Sequence, residues 1–231
     1  IGKGAFSQVF CVSLKGKDIT FALKKVYKPK IIDKNCVDLI FFEKEIMEKM
    51  YHPFIANSYI SFQDNEYLYI IMDLLGGGDL RYHLSKEKFF NEPQVKFFVA
   101  CTILGLEYIH KNNLIHHDLK PENLLLDENG YVCIGDFGIS KFYRENNKED
   151  MNGSPPYMAP EILKEQNHSF EADYYSLGVI IYELFFGYRP YSSQRRSEII
   201  KEIDKKEIKL TKEDFMSEVS NEMVEYINKL L

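Results

Sequence analysis

The run Gly76-Gly77-Gly78 constrains the fold of this chain more than any other feature. Consecutive glycines have no side chains to pack and favour neither helix nor strand, so regular structure breaks there. The patterns on its two sides differ. Before the run, residues 9–12 and 19–23 are β-branched and aromatic stretches separated by the turn-forming Lys15-Gly16-Lys17-Asp18. Residues 67–72 read as a further strand ending at Asp73. Residues 36–50 have helical spacing, with Val37, Ile40, Phe41, Met47 and Met50 available for one face.

After the run the chain turns helical. Residues 92–111 place Val95, Val99, Ile103, Leu106 and Ile109 at helical intervals; Glu92-Pro93 suits a first turn and Asn112-Asn113 a stop. Short strands fit 124–126 and 131–134, joined by Asp127-Glu128-Asn129-Gly130, and 169–186 reads as a largely buried helix. Residues 143–152, rich in Asn, Lys and Glu, read as a mobile loop. There are no internal repeats. The pattern is α+β: a small β-rich lobe over 1–75, with one main helix, and a larger, mainly helical lobe over 76–231, with a cleft between them.

With 231 residues and a hydrophobic fraction of 45%, the chain can bury a core of this size. Its formal net charge of -6 gives no hint of the basic face that a nucleic-acid binder shows. Cys11, Cys36, Cys101 and Cys133 are scattered, with no C-x-x-C pair and no histidine at metal-ligand spacing. They read as reduced thiols of an intracellular protein rather than a disulfide framework or a zinc site. The longest apolar run, 177–187, carries Glu183 and is too short to span a bilayer, and no stretch of the given sequence reads as a signal peptide.

Four segments carry chemistry. In Gly2-Lys3-Gly4-Ala5-Phe6-Ser7-Gln8-Val9, two glycines let backbone N–H groups approach phosphate oxygens. Alone, a simple β-turn explains this segment as well. Phe21-Ala22-Leu23-Lys24 adds a lysine at the end of an apolar strand, within reach of phosphates under that loop. The strongest segment is His116-His117-Asp118-Leu119-Lys120-Pro121-Glu122-Asn123. An Asp on a loop can orient a hydroxyl nucleophile and accept its proton, and an Asn five residues on can hold a divalent ion. Asp136-Phe137-Gly138 supplies a second metal carboxylate, an apolar anchor and a hinge.

In that order and spacing, the chain resembles the eukaryotic protein kinases along its whole length. The resemblance implies ATP with Mg²⁺, or Mn²⁺, and protein substrates. It makes Asp118 the catalytic base, Lys120 the γ-phosphate lysine of the Ser/Thr type, and Asn123 and Asp136 the metal ligands. Lys24 resembles the lysine on the α- and β-phosphates. Glu43 resembles its helix partner, with Glu45 as a rival that the distance to His52-Pro53 disfavours. Around the nucleotide the resemblance places Ile1, Gly2, Gly4, Val9, Ala22, Lys24, Met72, Asp73, Leu75, Asp79 and Leu125, with Met72 as gatekeeper and 73–75 as the hinge. Ala159-Pro160-Glu161 closes the activation segment and Asp173 resembles the helix aspartate that braces the catalytic loop.

His52-Pro53-Phe54, Ser61-Phe62-Gln63-Asp64 and the stretch 73–84 are similar to the AGC group, and within it to the YANK branch. By this resemblance Asp79, Glu122 and Glu183 face the substrate and favour basic residues upstream of the target hydroxyl; the competing reading of Glu183 is a buried structural pair. No nucleic-acid partner or transmembrane segment is implied, the oligomeric state is left open, and the expected location is intracellular and cytoplasmic, apart from any membrane anchor outside the sequence. The chain starts inside the glycine-rich segment and stops before the last helices of the family, so it is expected to be cut at both ends.

The departures from the pattern are specific. His117 replaces the arginine that gathers an activation-loop phosphate, and Asp150 stands where that phosphate is often carried. Together they imply activity without activation-loop phosphorylation, with Lys141 available to pair with Asp150. A titrating His117 would add pH dependence; a neutral packed histidine is the plainer reading. Ser154 replaces a threonine, Tyr175 a tryptophan, and Ser58 an apolar spine residue. These departures keep an alternative open: a pseudokinase acting as a nucleotide-binding scaffold. The complete Ala159-Pro160-Glu161 segment disfavours a small-molecule kinase.

Overall fold

The computed structural model describes residues 2–3, 7–34, 36–205 and 207–231. Ile1 and Gly4, both expected at the nucleotide, lie outside the described residues. Among the described residues, β1 (Gly2–Lys3), β2 (Ser7–Ser13), β3 (Thr20–Tyr27), β4 (Ser58–Gln63) and β5 (Tyr67–Met72) form one antiparallel sheet in the order β1-β2-β3-β5-β4. Two helices, α1 (Lys28–Asp33) and α2 (Val37–Lys49), separate β3 from β4.

Strand alternation decides which side chains face inward. Side chains two apart share a face of a strand, so Ala22, Lys24 and Val26 lie together on β3. Ala22 and Val26 are buried. Lys24 is thereby carried to the covered face rather than to solvent. Its cross-strand partner on β5 is Ile70, also buried, and Ala22 pairs with Met72. Val26, Ile31, Leu68 and Ile70 form a small core of their own, with Val37 and Ile40 packed against it.

Helix α2 forms as expected, with Val37 and Ile40 packed inward and Met47 and Met50 buried. Phe41, expected inside, is 57% exposed, whereas Glu43 and Ile46 are buried. The cause is polar: Glu43 turns inward because it has Lys24 to pair with.

The helical lobe contains α3 (Leu80–Glu87), α4 (Glu92–Lys111), α5 (Pro160–Leu163), α6 (Glu171–Phe186), α7 (Arg196–Lys205) and α8 (Asn221–Leu230). Asn91 caps α4, accepting from the Gln94 N–H while the Gln94 side chain accepts from the Asn91 N–H. Helix α6 is buried nearly all round, which is why its sequence lacks a polar stripe. Short strands β6 (Leu114–Ile115) and β9 (Lys141–Phe142) pair with each other, as do β7 (Leu124–Leu126) and β8 (Val132–Ile134).

The residues expected as a mobile loop, 143–152, are pinned instead. Asn147 and Asp150 are buried. The Asn147 amide donates to the Arg144 and His168 carbonyls at 2.6 and 3.0 Å, and Arg144 pairs with Asp150 at 2.6 Å. Polar composition misled here because these polar groups satisfy one another internally.

The glycine run does more than interrupt. The Gly77 N–H donates to the Leu126 carbonyl at 2.9 Å, and the Leu126 N–H donates to Gly78 at 2.7 Å. The segment leaving the sheet is thus laced to β7. A Cβ on Gly77 would lie 2.5 Å from the Asp127 carbonyl oxygen and 2.8 Å from Leu126 Cβ. Gly77→Ala is therefore expected to force this seam apart and lower stability by about 1–3 kcal/mol, the usual cost of overpacking. Urea unfolding of the two proteins side by side checks this; equal midpoints would refute it.

Candidate active site

Asp173, near the start of α6, has 0% exposure. Its carboxylate accepts the N–H groups of His116 and His117, both at 2.9 Å, and the His110 ring at 2.8 Å. Burial alone would raise its pKa, but the His110 bond and the surrounding histidines hold it below the usual range. These contacts fix the backbone just ahead of Asp118. His117 adopts φ 67, a left-handed conformation unusual for a residue with a Cβ, and Asp173 holds it there.

Asp118 follows, and three side chains converge on its carboxylate. Lys120 Nζ donates to Oδ2 at 2.7 Å, Asn123 Nδ2 to the same oxygen at 3.1 Å, and the Ser154 hydroxyl to Oδ1 at 2.8 Å. Asn123 also donates to the Asp118 carbonyl at 2.8 Å. Lys120 reaches Ser154 Oγ at 3.0 Å, so the replacement of threonine by Ser154 keeps the hydroxyl bonded to both catalytic-loop residues. A carboxylate has about four lone-pair positions, which leaves room for one more donor.

Across the cleft, Lys24 is ion-paired with Glu43 on α2. Burial opposes the ammonium charge, but Glu43 and then Asp136 more than offset this and raise the Lys24 pKa. Glu45, the rival for this pairing, instead bonds Lys49 at 2.5 Å on the helix surface. Phe137 is buried edge-on to His116 with ring centroids 5.3 Å apart, which anchors Asp136 beside the loop. Asp136 itself has φ 59, so the turn that presents it is also left-handed.

The donor set suits a hard cation. Asn123 uses its amide nitrogen on Asp118, which leaves its carbonyl oxygen, and Asp136 adds a carboxylate. One or two oxygen ligands completed by phosphate and water are what Mg²⁺ takes. Among the described residues no cluster of three or more His, Cys, Asp or Glu could hold a metal unaided.

Of the remaining residues expected at the nucleotide, Gly2 pairs with Val9 and Val9 with Lys24, which stacks them in register on one edge of the sheet. Ala22 lies opposite Met72, and Leu125 on β7 bridges to Asp79. Asp73 is turned away: its carboxylate accepts from the Asn57 N–H and amide, both at 2.9 Å, and from Tyr59. Its N–H donates to the Asn57 carbonyl, so this donor of the hinge is already used. Asp79 caps α3, accepting from the Tyr82 N–H at 2.7 Å.

Two readings are corrected, at Lys141 and at Glu122; Glu183 takes its competing reading as a buried pair, and Ser58 remains a departure. Lys141 does not pair with Asp150; it lies over the Phe42 ring, and Arg144 takes Asp150. Ser58 Oγ is buried without a partner, a polar atom left where the family expects an apolar one. Glu122 and Glu183 are not free carboxylates: Arg81 bonds Glu122 at 2.9 Å and holds both oxygens of Glu183 at 3.0 Å. Sequence reading missed Arg81. Its partners lie 41 and 102 positions away, so no local spacing rule could find them.

The family model described as "Protein kinase domain" matches residues 1–231. Protein kinase 2 of Dictyostelium discoideum is 40% identical over 211 residues, covering 91% of this chain and 44% of that protein. Serine/threonine-protein kinase 32B of Homo sapiens is 41% identical over 197 residues, 83% of this chain and 48% of that one. cGMP-dependent protein kinase 2 of Rattus norvegicus is 39% identical over 193 residues, 83% and 25% of the two. The chain spans less than half the length of these relatives.

His117 is the packed neutral histidine of the plainer reading. Its Nε2 lies 3.0 Å from His168 Nε2, while its Nδ1 is buried without a partner. Burial lowers its pKa to about 4, against the opposing pull of Asp173. Between an unfolded value near 6.5 and this folded value, the unfolded chain binds a proton that the folded one refuses. Stability therefore falls as pH drops through that window and levels off below it. His117→Asn, a residue that tolerates positive φ, is expected to remove about 2 kcal/mol of the stability loss between pH 7 and pH 5. Urea melts at the two pH values measure it; an unchanged pH dependence would refute it.

Proposed function

This chain belongs to the protein kinase domain family, and on that premise we propose that it carries the catalytic activity of a serine/threonine kinase. The reaction is transfer of the ATP γ-phosphoryl group to a protein hydroxyl. The observation that carries the reading is the convergence of Lys120, Asn123 and Ser154 on Asp118, with the Lys24–Glu43 pair and Asp136 facing it.

Each side chain has a task. Lys24, held by Glu43, would contact the α- and β-phosphates. Asn123 and Asp136 would hold Mg²⁺, with Mn²⁺ as a substitute; the bound ion neutralises phosphate charge. Asp118 orients the acceptor hydroxyl and takes its proton. Lys120 bonds Asp118 and is placed to balance negative charge on the group in transfer. Gly2, Val9, Ala22, Met72, Leu125 and the 73–75 backbone would enclose the nucleotide base and sugar. With these groups in bonding register, nothing favours the scaffold reading.

The activation segment is proposed to be organised without phosphate. Arg144 and Asp150 pair directly, Asn147 bonds His168, and no arginine stands at position 117 to gather a phosphate. Ser140 is fully buried, its hydroxyl bonded to the His116 carbonyl at 3.1 Å. No described helix is long and apolar enough to cross a membrane. An intracellular, cytoplasmic setting is proposed from the ATP requirement and the four free cysteines.

Asp118→Asn should lower phosphate transfer by about 10²–10⁴-fold, the range for losing a general base, while nucleotide affinity stays near wild type. Radiolabelled ATP with a mixed protein substrate measures the first and fluorescent-nucleotide titration the second. Nucleotide binding without transfer in the unmutated protein would refute the kinase reading. Phosphatase treatment should leave activity within about twofold. A collapse of activity, with a phosphosite mapped to Ser140, Tyr143 or Ser154, would refute the phosphate-free activation segment.

A further inference from the structure

A cavity of about 470 Å³ opens beside the catalytic loop, lined by Arg81, Lys120, Glu122, Ser154, Tyr157 and Glu183, with Arg189 at its wall. Lys120 and Ser154 both bond the Asp118 carboxylate. A peptide that presents its hydroxyl to Asp118 must therefore pass a neighbouring side chain along this cavity, since successive Cα atoms are only about 3.8 Å apart. The two carboxylates at its base would ordinarily attract a basic side chain.

Arg81 already occupies them. Its Nη1 and Nη2 grip the two oxygens of Glu183 at 3.0 Å each, a bidentate fork, while Nε donates to Glu122 at 2.9 Å. Nη2 also reaches the Tyr157 hydroxyl, which itself donates to Glu183 at 2.6 Å. Glu183 is 4% exposed, and three donors from Arg81 and Tyr157 already occupy its carboxylate. Arg189 stands over the Tyr157 ring, 5.8 Å from its centroid, and adds a second guanidinium. Arg81 and Arg189 thus match Glu122 and Glu183 charge for charge, and no surplus of negative charge remains.

We propose that Arg81 fills this subsite from within the chain and thereby excludes substrates that place a basic residue there. The proposal rests on the kinase reading for the peptide's path but not on transfer for its test. Arg81 is a specificity-determining residue: it holds the charge pattern that a substrate arginine would otherwise complete. The expected substrate carries an uncharged or acidic side chain at that position.

The test is equilibrium binding of fluorescent serine peptides to the intact protein, with one arginine walked through each position flanking the serine and alanine as reference. Wild type should prefer arginine over alanine at no position, and should bind arginine more weakly at the one position that reaches this subsite. Arg81→Leu should gain a preference on the order of tenfold for arginine at one position, abolished by adding Glu183→Gln. A wild-type arginine preference that Arg81→Leu leaves unchanged would overturn the proposal, as would a folded Arg81→Leu that gains none. Arg81→Leu strands a buried carboxylate, so Glu122→Gln provides a second arm. Its Arg-to-Ala binding ratio should equal the wild-type ratio; a ratio that falls shows Glu122 reading substrate arginine and overturns the proposal. Binding is read without phosphate transfer, so an inactive protein would count against the kinase reading alone.

Discussion

The Asp173 carboxylate organises the site more than any other group. By accepting two successive backbone N–H groups, at His116 and His117, it sets the peptide planes that deliver Asp118 to the cleft. A buried carboxylate without donors would be costly, and backbone N–H groups buried without an acceptor equally so. Each therefore requires the other, and the left-handed φ at His117 is the conformation that lets both be met. Asp118, Lys120 and Asn123 take their places as a consequence.

The same logic holds within each lobe. Strand alternation places Lys24 on the inner face of the sheet, where an isolated ammonium would be unfavourable. Glu43 answers it from α2 and is buried there, while Phe41 faces solvent. At the substrate side, Arg81 answers Glu183 and Glu122. These pairs hold the elements in orientation while neutralising charge.

Much of this was legible in the chain. Helix 92–111 and strands 67–72 and 124–126 were readable because side-chain periodicity and capping residues are local signals. The candidate site was readable too: Asp118, Lys120 and Asn123 lie within one short loop. The segment 143–152 was misread because composition counts polar residues without knowing whether they bond one another. The partner of Asp150 was misassigned for a related reason. Lys141 and Arg144 are both near in sequence, and only the path of the backbone selects Arg144.

The sequence by itself determined the α+β lobes, the break at Gly76–Gly78 and the set of reactive side chains, since these depend on residue type and short spacing. The tertiary structure alone decided which charges meet. Arg81 and Glu183 are 102 positions apart and become partners only when α3 and α6 are folded beside each other. Coulombic and hydrogen-bond energies depend on distance in space rather than along the chain. The charge pairing beside the cleft therefore became visible only in the folded molecule.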